Sequence, residues 1–303
     1  MSILISIFVS DILPIFVIAL VGLLLARFLQ TSARTLAHVV FYALLPCLVF
    51  KLVVTSQITG PEAGRIALLA ALVTAAMGLV ARAAAVPLKL TRPELSAFLL
   101  VAMFSNSGNY GLPVVLFAFG TEALSYATIY FVTSSILTNT VGVSLAAAGR
   151  RSATQAILGV VKVPSVYGAA TGLMVLAIGA EVPIGVMRPV GLLGDAALPL
   201  MVLVLGMQLD RSAVIEKPVV LAAAVGLSLF AAPLVALAMT SLLGVSGLAR
   251  QAAVTLASTP VAVVTTILAL EFDVAPGFVR NAVFFSTLLS PITITPIIAY
   301  LKQ

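Results

Sequence analysis

The chain has 303 residues, of which 62% are hydrophobic and only 9% are charged, and its formal net charge is +6. Soluble globular domains carry about 25% charged residues, so this composition excludes the water-soluble class. The positive charge does not indicate nucleic acid, because the longest run of basic residues is the pair Arg150-Arg151 and basic loops at a membrane surface account for the excess.

The sequence offers few residues for metal or disulfide chemistry. Cys47 is the only cysteine and His38 the only histidine. A single cysteine cannot form an intramolecular disulfide, and zinc sites need several Cys or His ligands at set spacings. The sequence therefore predicts no metal site and no cofactor.

Apolar stretches of membrane-spanning length fill the chain and predict an all-α integral membrane protein. About 20 apolar residues cross a bilayer as a helix, whereas a membrane β-barrel would show alternating segments of about ten residues. The first stretch follows Asp11 and lacks a basic leader, so we expect it to be retained rather than cleaved as a signal peptide. The ten predicted helices are Ile12–Phe28, Ala33–Ser56, Gly64–Pro87, Leu95–Phe119, Leu124–Gly149, Ala156–Gly179, Val186–Leu209, Pro218–Leu243, Leu248–Phe272 and Gly277–Leu301.

The distribution of Lys and Arg between alternate loops predicts the orientation, because cytoplasmic loops carry the excess of basic residues. One set of loops holds Arg27, Arg34, Arg82, Lys89, Arg92, Arg150, Arg151, Arg211, Lys217 and Arg280, and the other holds Arg65, Arg188, Arg250 and Lys302. The first set is predicted to be cytoplasmic. With ten helices in the inner (plasma) membrane, both termini are then expected outside the cytoplasm.

The chain also repeats itself at about half its length. The segment SSIL at 134–137 matches STLL at 286–289 at an offset of 152, and LPCLV at 45–49 matches LPLMV at 198–202 at an offset of 153. The near-constant offset predicts two repeats of five helices, 1–152 and 153–303. An odd number of helices in each repeat inverts one copy relative to the other, which is typical of secondary transporters with a substrate site between the repeats.

Predicted helix 4 is interrupted by the polar, glycine-rich segment FSNSGNYGLP at 104–113, and an offset of 152 from 106–108 leads to Ser258, Thr259 and Pro260 in predicted helix 9. Irregular backbone at membrane depth is tolerated only where protein or a watery cavity satisfies it. Half-helices that begin after each break would direct N–H groups and partial positive charge toward a shared cavity. An anion fits this arrangement, whereas the alternative is that small residues only allow close helix packing.

The interruptions supply the candidate site residues. Those predicted to bind the substrate through neutral polar groups are Asn106, Ser107, Asn109, Ser258 and Thr259. Those predicted to shape the backbone of the breaks are Ser105, Gly108, Gly111, Pro113 and Pro260.

At these residues the sequence resembles the auxin efflux carrier family. The segment 105–113 is similar to the S-N-x-G-N-x-G-x-P signature of bacterial members, which include malonate and other organic-acid carriers. Pro260, the pair Glu271-Phe272 and the segment 291–293 are similar to positions around the second crossover and last helix of plant members. Ser105 stands where plant carriers have a first crossover proline, and the long hydrophilic loop of those carriers is absent here.

The resemblance implies a crossover fold that is usually a homodimer. Helices 1, 2, 6 and 7 would form a scaffold, and helices 3–5 and 8–10 a mobile transport domain. Together with the paired interruptions, it implies a secondary active or facilitative carrier that moves a small organic anion, a carboxylate such as malonate, by elevator-type alternating access.

Ionisable residues inside membrane spans need a specific role, because each is costly there. Asp195 lies near the middle of predicted helix 7, and Pro199 frees its backbone carbonyl by lacking an N–H. Asp195 either couples transport to a proton or a cation such as sodium, or has a structural role that includes pairing with Lys162. Lys51 lies close enough to a helix end for its amine to extend to the membrane surface.

The sequence does not fit two classes of intramembrane enzyme. An intramembrane aspartyl protease needs a Gly-x-Gly-Asp motif and a second membrane aspartate, and the segment 192–195 lacks the first glycine. A serine hydrolase needs a nucleophile elbow or a Ser–His pair, and the sequence has neither. An anion channel stays open as the alternative, because broken helices also line pores.

Overall fold

The protein is helical throughout the part of the chain that the structure describes. The computed structural model describes residues 2–56, 58–147, 161, 163–209, 215 and 217–303. Apart from one isolated β-bridge, every regular element within these residues is a helix. The predicted charge partner Lys162, the basic residues Arg150, Arg151 and Arg211, and the predicted boundary between the two repeats lie outside the described residues.

In chain order the helices are α1 (Ile3–Phe28), α2 (Ala33–Thr55), α3 (Gly60–Leu88), α4 (Arg92–Met103), α5 (Ser107–Ala146), α6 (Pro164–Ala177), α7 (Ile184–Met207), α8 (Pro218–Leu242), α9 (Gly247–Ala257), α10 (Val264–Glu271) and α11 (Pro276–Leu301). Seven helices within the described residues are long and apolar enough to cross a membrane, namely α1, α2, α3, α5, α7, α8 and α11.

The helix bounds differ from the sequence prediction at four places. Predicted helix 4 is divided between α4 and the first part of α5, and predicted helix 9 between α9 and α10. The chain turns inside α5 at Gly120, whose φ of 82° and ψ of −174° are outside the helical region and are open to glycine. Helix α1 begins at Ile3 rather than at the predicted Ile12. The charge of Asp11 does not end the helix, because its buried carboxylate accepts a hydrogen bond from Lys302 Nζ at 2.6 Å.

The outer surface of the helices is apolar. Leu192 of α7, Leu79 of α3 and Ile292 of α11 are exposed by 76%, 74% and 72%, respectively. Large contiguous apolar surfaces are rare on soluble monomers. Hydrocarbon chains of a bilayer cover such side chains at no cost, so this surface is that of an integral membrane protein.

Glycines allow α1, α2, α6 and α7 to pack with their backbones close together. A Cβ atom added at Gly206 of α7 would lie 1.7 Å from the carbonyl oxygen of Ala19, and one added at Gly22 of α1 would lie 2.1 Å from that of Leu203. One added at Gly168 of α6 would lie 2.4 Å from the carbonyl oxygen of Pro46 in α2. Small residues at such contacts are the usual means by which helices associate in membranes.

Ion pairs and polar contacts bring particular helix ends together. Lys217, directly before α8, forms an ion pair with Glu94 in the first turn of α4 at 2.5 Å. Arg250 of α9 donates a hydrogen bond to the hydroxyl of Tyr300 in α11 at 3.0 Å, which joins the beginning of α9 to the end of α11. The beginnings of α4 and α8 therefore lie on one side of the molecule.

The close contact between α1 and α7 predicts the effect of a single methyl group. Gly206→Ala should lower the thermal stability of the purified protein in detergent, because overpacking a tight contact costs about 1–3 kcal/mol. Gly191→Ala in the same helix is the matched control, since an added Cβ there has no neighbour within 4 Å. Equal melting temperatures for the two variants would contradict this account of the packing.

Candidate functional site

The breaks after α4 and α9 meet as two short antiparallel segments. The backbone N–H of Asn106 donates to the carbonyl of Pro260 at 2.6 Å, and the N–H of Ala262 donates to the carbonyl of Phe104 at 2.9 Å. Ser105 and Val261 form the bridge between these bonds. Each break thus satisfies backbone groups of the other, in the way that irregular backbone at membrane depth requires.

Glycine and proline shape the two breaks. A Cβ atom at Gly108 would lie 2.8 Å from the ring of Phe131, and one at Gly111 would lie 3.2 Å from both Leu256 and Thr259, so larger residues would separate the breaks from their neighbours. Pro113 follows in the first turn of the regular part of α5. Ser105 and Pro260 lie in the paired segments, whereas Gly108, Gly111 and Pro113 follow at the start of α5.

Pro260 has the effect expected of a proline that lacks an N–H. The carbonyl of Leu256 loses its normal helical donor. It accepts instead from the hydroxyl of Thr259 at 2.7 Å and from the N–H of Thr259 at 3.4 Å. The hydroxyl of Ser258 likewise donates to the carbonyl of Val254 at 2.6 Å. Both predicted hydroxyl ligands of the second break therefore use their protons within α9 and keep lone pairs as acceptors.

Asn106 differs from these hydroxyls. Its side chain is buried, with 5% of the residue exposed, and its Nδ2 has no hydrogen-bond partner within the described residues. Leaving a buried amide donor unpaired costs about 1–3 kcal/mol. Ser107 is also buried and Asn109 is half-buried. The first break therefore presents an unused donor, while the second presents acceptors.

The helices that follow the breaks add electrostatic character. Helix α5 begins at Ser107 and α10 at Val264, so the first turns of both lie beside the paired segments. First-turn N–H groups carry partial positive charge. Those of Ser107, Thr265 and Thr266 donate to the carbonyls of Ser105, Ala262 and Val263, just before their helices. Together with the amide of Asn106, they form a neutral but electropositive region suited to an anion.

Helix α11 supports the paired breaks through two serines. The hydroxyl of Ser286 accepts a hydrogen bond from the N–H of Val261 at 3.0 Å, and Ser290 donates to the hydroxyl of Tyr110 at 2.9 Å. Sequence reasoning did not include them among the site residues. The signal was available, because Ser286 lies in the segment 286–289 that revealed the internal repeat.

Helices α1 and α7 contact the first break from the other side. Phe16 of α1 packs edge-on against Tyr110 with ring centroids 6.2 Å apart. A Cβ at Gly108 would lie 3.3 Å from the terminal methyl of Met201 in α7. The first break therefore lies between α1 and α7 on one side and the second break on the other.

Asp195 has a partner that the sequence analysis missed. Its carboxylate Oδ1 lies 2.6 Å from Nζ of Lys51, and the two side chains are 67% and 29% exposed. The pairing arises because α2 and α7 are close there, as a Cβ at Gly194 would lie 3.0 Å from Cα of Leu48. Lys51, expected at the membrane surface, thus binds Asp195, whereas Lys162 lies outside the described residues.

The apolar helices and the paired breaks together define a multi-pass membrane protein of the transporter class. A family model described as membrane transport protein matches residues 7–155 and 148–298. A relative from Methanothermobacter thermautotrophicus, described as an uncharacterized transporter, is 26% identical over 271 residues, which are 88% of each chain. The chain belongs to this membrane transport family, the auxin efflux carrier family that the motif at 105–113 resembles, and it is a membrane transporter.

Proposed function

We propose that this transporter carries a small organic anion, a carboxylate such as malonate, by elevator-type alternating access. The observation that carries the proposal is the unpaired, buried amide of Asn106 beside the first turns of α5 and α10. A carboxylate would accept a hydrogen bond from this amide and would be stabilised by the partial positive charge at the two helix starts. The residues of this region are neutral, so releasing the anion breaks no ion pair and leaves no buried charge behind.

The proposed architecture has ten spans in two inverted repeats, 1–152 and 153–303. In it, α4 with the first part of α5 forms span 4, and α9 with α10 forms span 9, as the two crossovers. The divided helices support this reading, since each half alone is too short to cross a bilayer of about 30 Å. The distribution of Lys and Arg supports the proposed orientation in the inner membrane, and the family resemblance supports the proposed homodimer.

Within this architecture, α1, α2, α6 and α7 form the scaffold and the remaining helices move. The close glycine contacts support a rigid scaffold, because backbones at such short distances cannot slide past each other freely. Contacts between the two groups include the edge-on rings of Phe16 and Tyr110, the ion pair of Asp11 with Lys302, and the approach of the Met201 side chain to Gly108. Such contacts can break and form again as the moving group changes depth.

A carboxylate panel tests the proposed substrate class. Purified protein should be stabilised against heating by at least one mono- or dicarboxylate, and liposomes containing it should exchange that compound in a saturable way. Asn106→Ala and Asn109→Ala should weaken binding about tenfold or more, because each lost hydrogen bond to a charged group contributes about 1.5–3 kcal/mol.

The matched control is Asn139→Ala, since the amide of Asn139 donates to the carbonyl of Ser135 in its own helix. It should leave carboxylate binding unchanged. Transport of a cation or neutral solute with no response to any carboxylate would reject the substrate class. Single-channel currents would favour the anion channel over a carrier.

Asp195, in this proposal, joins α2 to α7 through Lys51 rather than coupling transport to a proton or sodium. Asp195→Asn should lower the melting temperature of the purified protein, because the amide can still accept a hydrogen bond from Lys51 but no longer supplies its counter-charge. Uptake should still respond to imposed pH and sodium gradients as in the wild type. The double variant Lys51→Met/Asp195→Leu should regain stability, because apolar replacement of both partners removes the cost of unpaired charge.

The opposite result would assign the coupling role to Asp195. In that case Asp195→Asn would melt like the wild type and bind substrate, yet would no longer respond to either gradient.

Cysteine labelling tests the proposed orientation, and Cys47 is the only native thiol to remove. In a Cys47→Ala background, Lys89→Cys should be protected from membrane-impermeant reagents in intact cells, because Lys89 belongs to the basic, cytoplasmic set of loops. Gln303→Cys should react under the same conditions. Both positions are exposed in the structure, so burial would not cause a difference between them. The reverse labelling pattern would overturn the orientation and the location of the termini.

A further inference from the structure

A small cavity lies behind the first break, on the side formed by α3, α5 and α8. Its volume is about 20 Å³, which is room for about one water molecule or one small ion. Hydroxyl groups dominate its polar lining. They belong to Thr74, Ser105, Tyr130, Ser134, Thr138 and Ser228. The residues predicted from sequence to bind the substrate are absent from its described lining.

The ends of two half-helices give this cavity an electronegative character. Ala102 and Met103 at the end of α4 and Ala257 at the end of α9 line it. The last carbonyls of a helix have no partner within that helix and carry partial negative charge. The cavity thus has the opposite polarity to the region where α5 and α10 begin.

Two of the lining hydroxyls are oriented to accept rather than donate. Thr74 donates its proton to the carbonyl of Ala70, and Thr138 donates to the carbonyl of Ser134, each at 2.8 Å. Their lone pairs are left for a ligand in the cavity. Among the described residues, the hydroxyls of Ser134 and Ser228 make no hydrogen bond within the protein.

Two lining residues lie where their helices widen locally into π-helix. Thr138 opens the π-segment Thr138–Gly142 of α5, and Ser228 lies in the π-segment Leu227–Ala231 of α8. Such segments interrupt the regular hydrogen-bond ladder and occur frequently at functional sites. Two of them at one cavity support a binding role rather than a packing defect.

We propose that this cavity is a binding site for a single sodium ion. Hard cations take oxygen ligands, and half-helix C-terminal ends supply such ligands in other transporters. The described lining contains no Lys, Arg or His that would repel a cation. It also contains no carboxylate, so it matches one charge better than two. The volume fits a small ion that has lost its hydration shell.

Occupancy of this site would act on the substrate region through the backbone. Phe104 and Ser105 line the cavity, and the carbonyl of Phe104 accepts from Ala262 in the other break. A cation would hold the first break in the conformation that presents Asn106. This coupling of sodium to anion transport rests on the proposed function, whereas binding of sodium does not.

The test is a melting curve of the purified protein without substrate, in sodium chloride against choline chloride of equal ionic strength. Sodium should raise the melting temperature in a saturable way. Thr138→Val and Ser134→Ala should each raise the half-saturating sodium concentration about tenfold or more, since each removes one oxygen ligand. Ser228→Ala repeats the test on another helix if either variant fails to fold.

Thr133→Val and Ser135→Ala are matched controls on the same helix, because neither residue lines the cavity. Both should keep the wild-type response to sodium. Equal melting in sodium and choline, or equal sodium responses in cavity and control variants, would overturn the site and indicate that a water molecule occupies it. Sodium binding without carboxylate transport would reject the proposed substrate and leave the site intact.

Discussion

The structure depends on the pairing of two broken helices by backbone hydrogen bonds. A helix interrupted in hydrocarbon leaves N–H and C=O groups that lipid cannot satisfy. Here the N–H of Asn106 and the carbonyl of Phe104 are satisfied by the other break, and Ser286 of α11 accepts from Val261. Each break supplies partners that the other needs, so separating the two would leave backbone groups of both without hydrogen bonds.

The pairing also separates charge without using charged residues. Helices that end at Met103 and Ala257 present carbonyl oxygens on one side, while helices that begin at Ser107 and Val264 present N–H groups on the other. The first environment favours a cation and the second an anion. One backbone arrangement therefore accounts for both the proposed sodium ion and the proposed organic anion. The first break, 104–106, lies between the two sites, so binding at one can stabilise the conformation that binds at the other.

Sequence patterns were sufficient for the helical class and the positions of the breaks, because hydropathy and the residues around Asn106 and Pro260 are local signals. Long-range contacts were not predictable in the same way. The start of α1 was placed too late since the partner of Asp11 is Lys302 at the far end of the chain. Lys51 was assigned to the membrane surface because its partner lies on another helix. Such pairs depend on packing that no local pattern encodes.

The location of the Asp11–Lys302 pair bears on how movement would occur. Asp11 belongs to α1 in the proposed scaffold, and its side chain is only 5% exposed, while Lys302 follows α11 in the proposed moving group. The proposed elevator movement would separate this pair, and an unpaired charge in a buried position is costly. The conformation seen here is therefore stabilised at the end of the molecule where α1 begins and α11 ends. Separating the pair costs less free energy if the movement exposes both charges to water at that end of the molecule than if it leaves the Asp11 carboxylate in hydrocarbon.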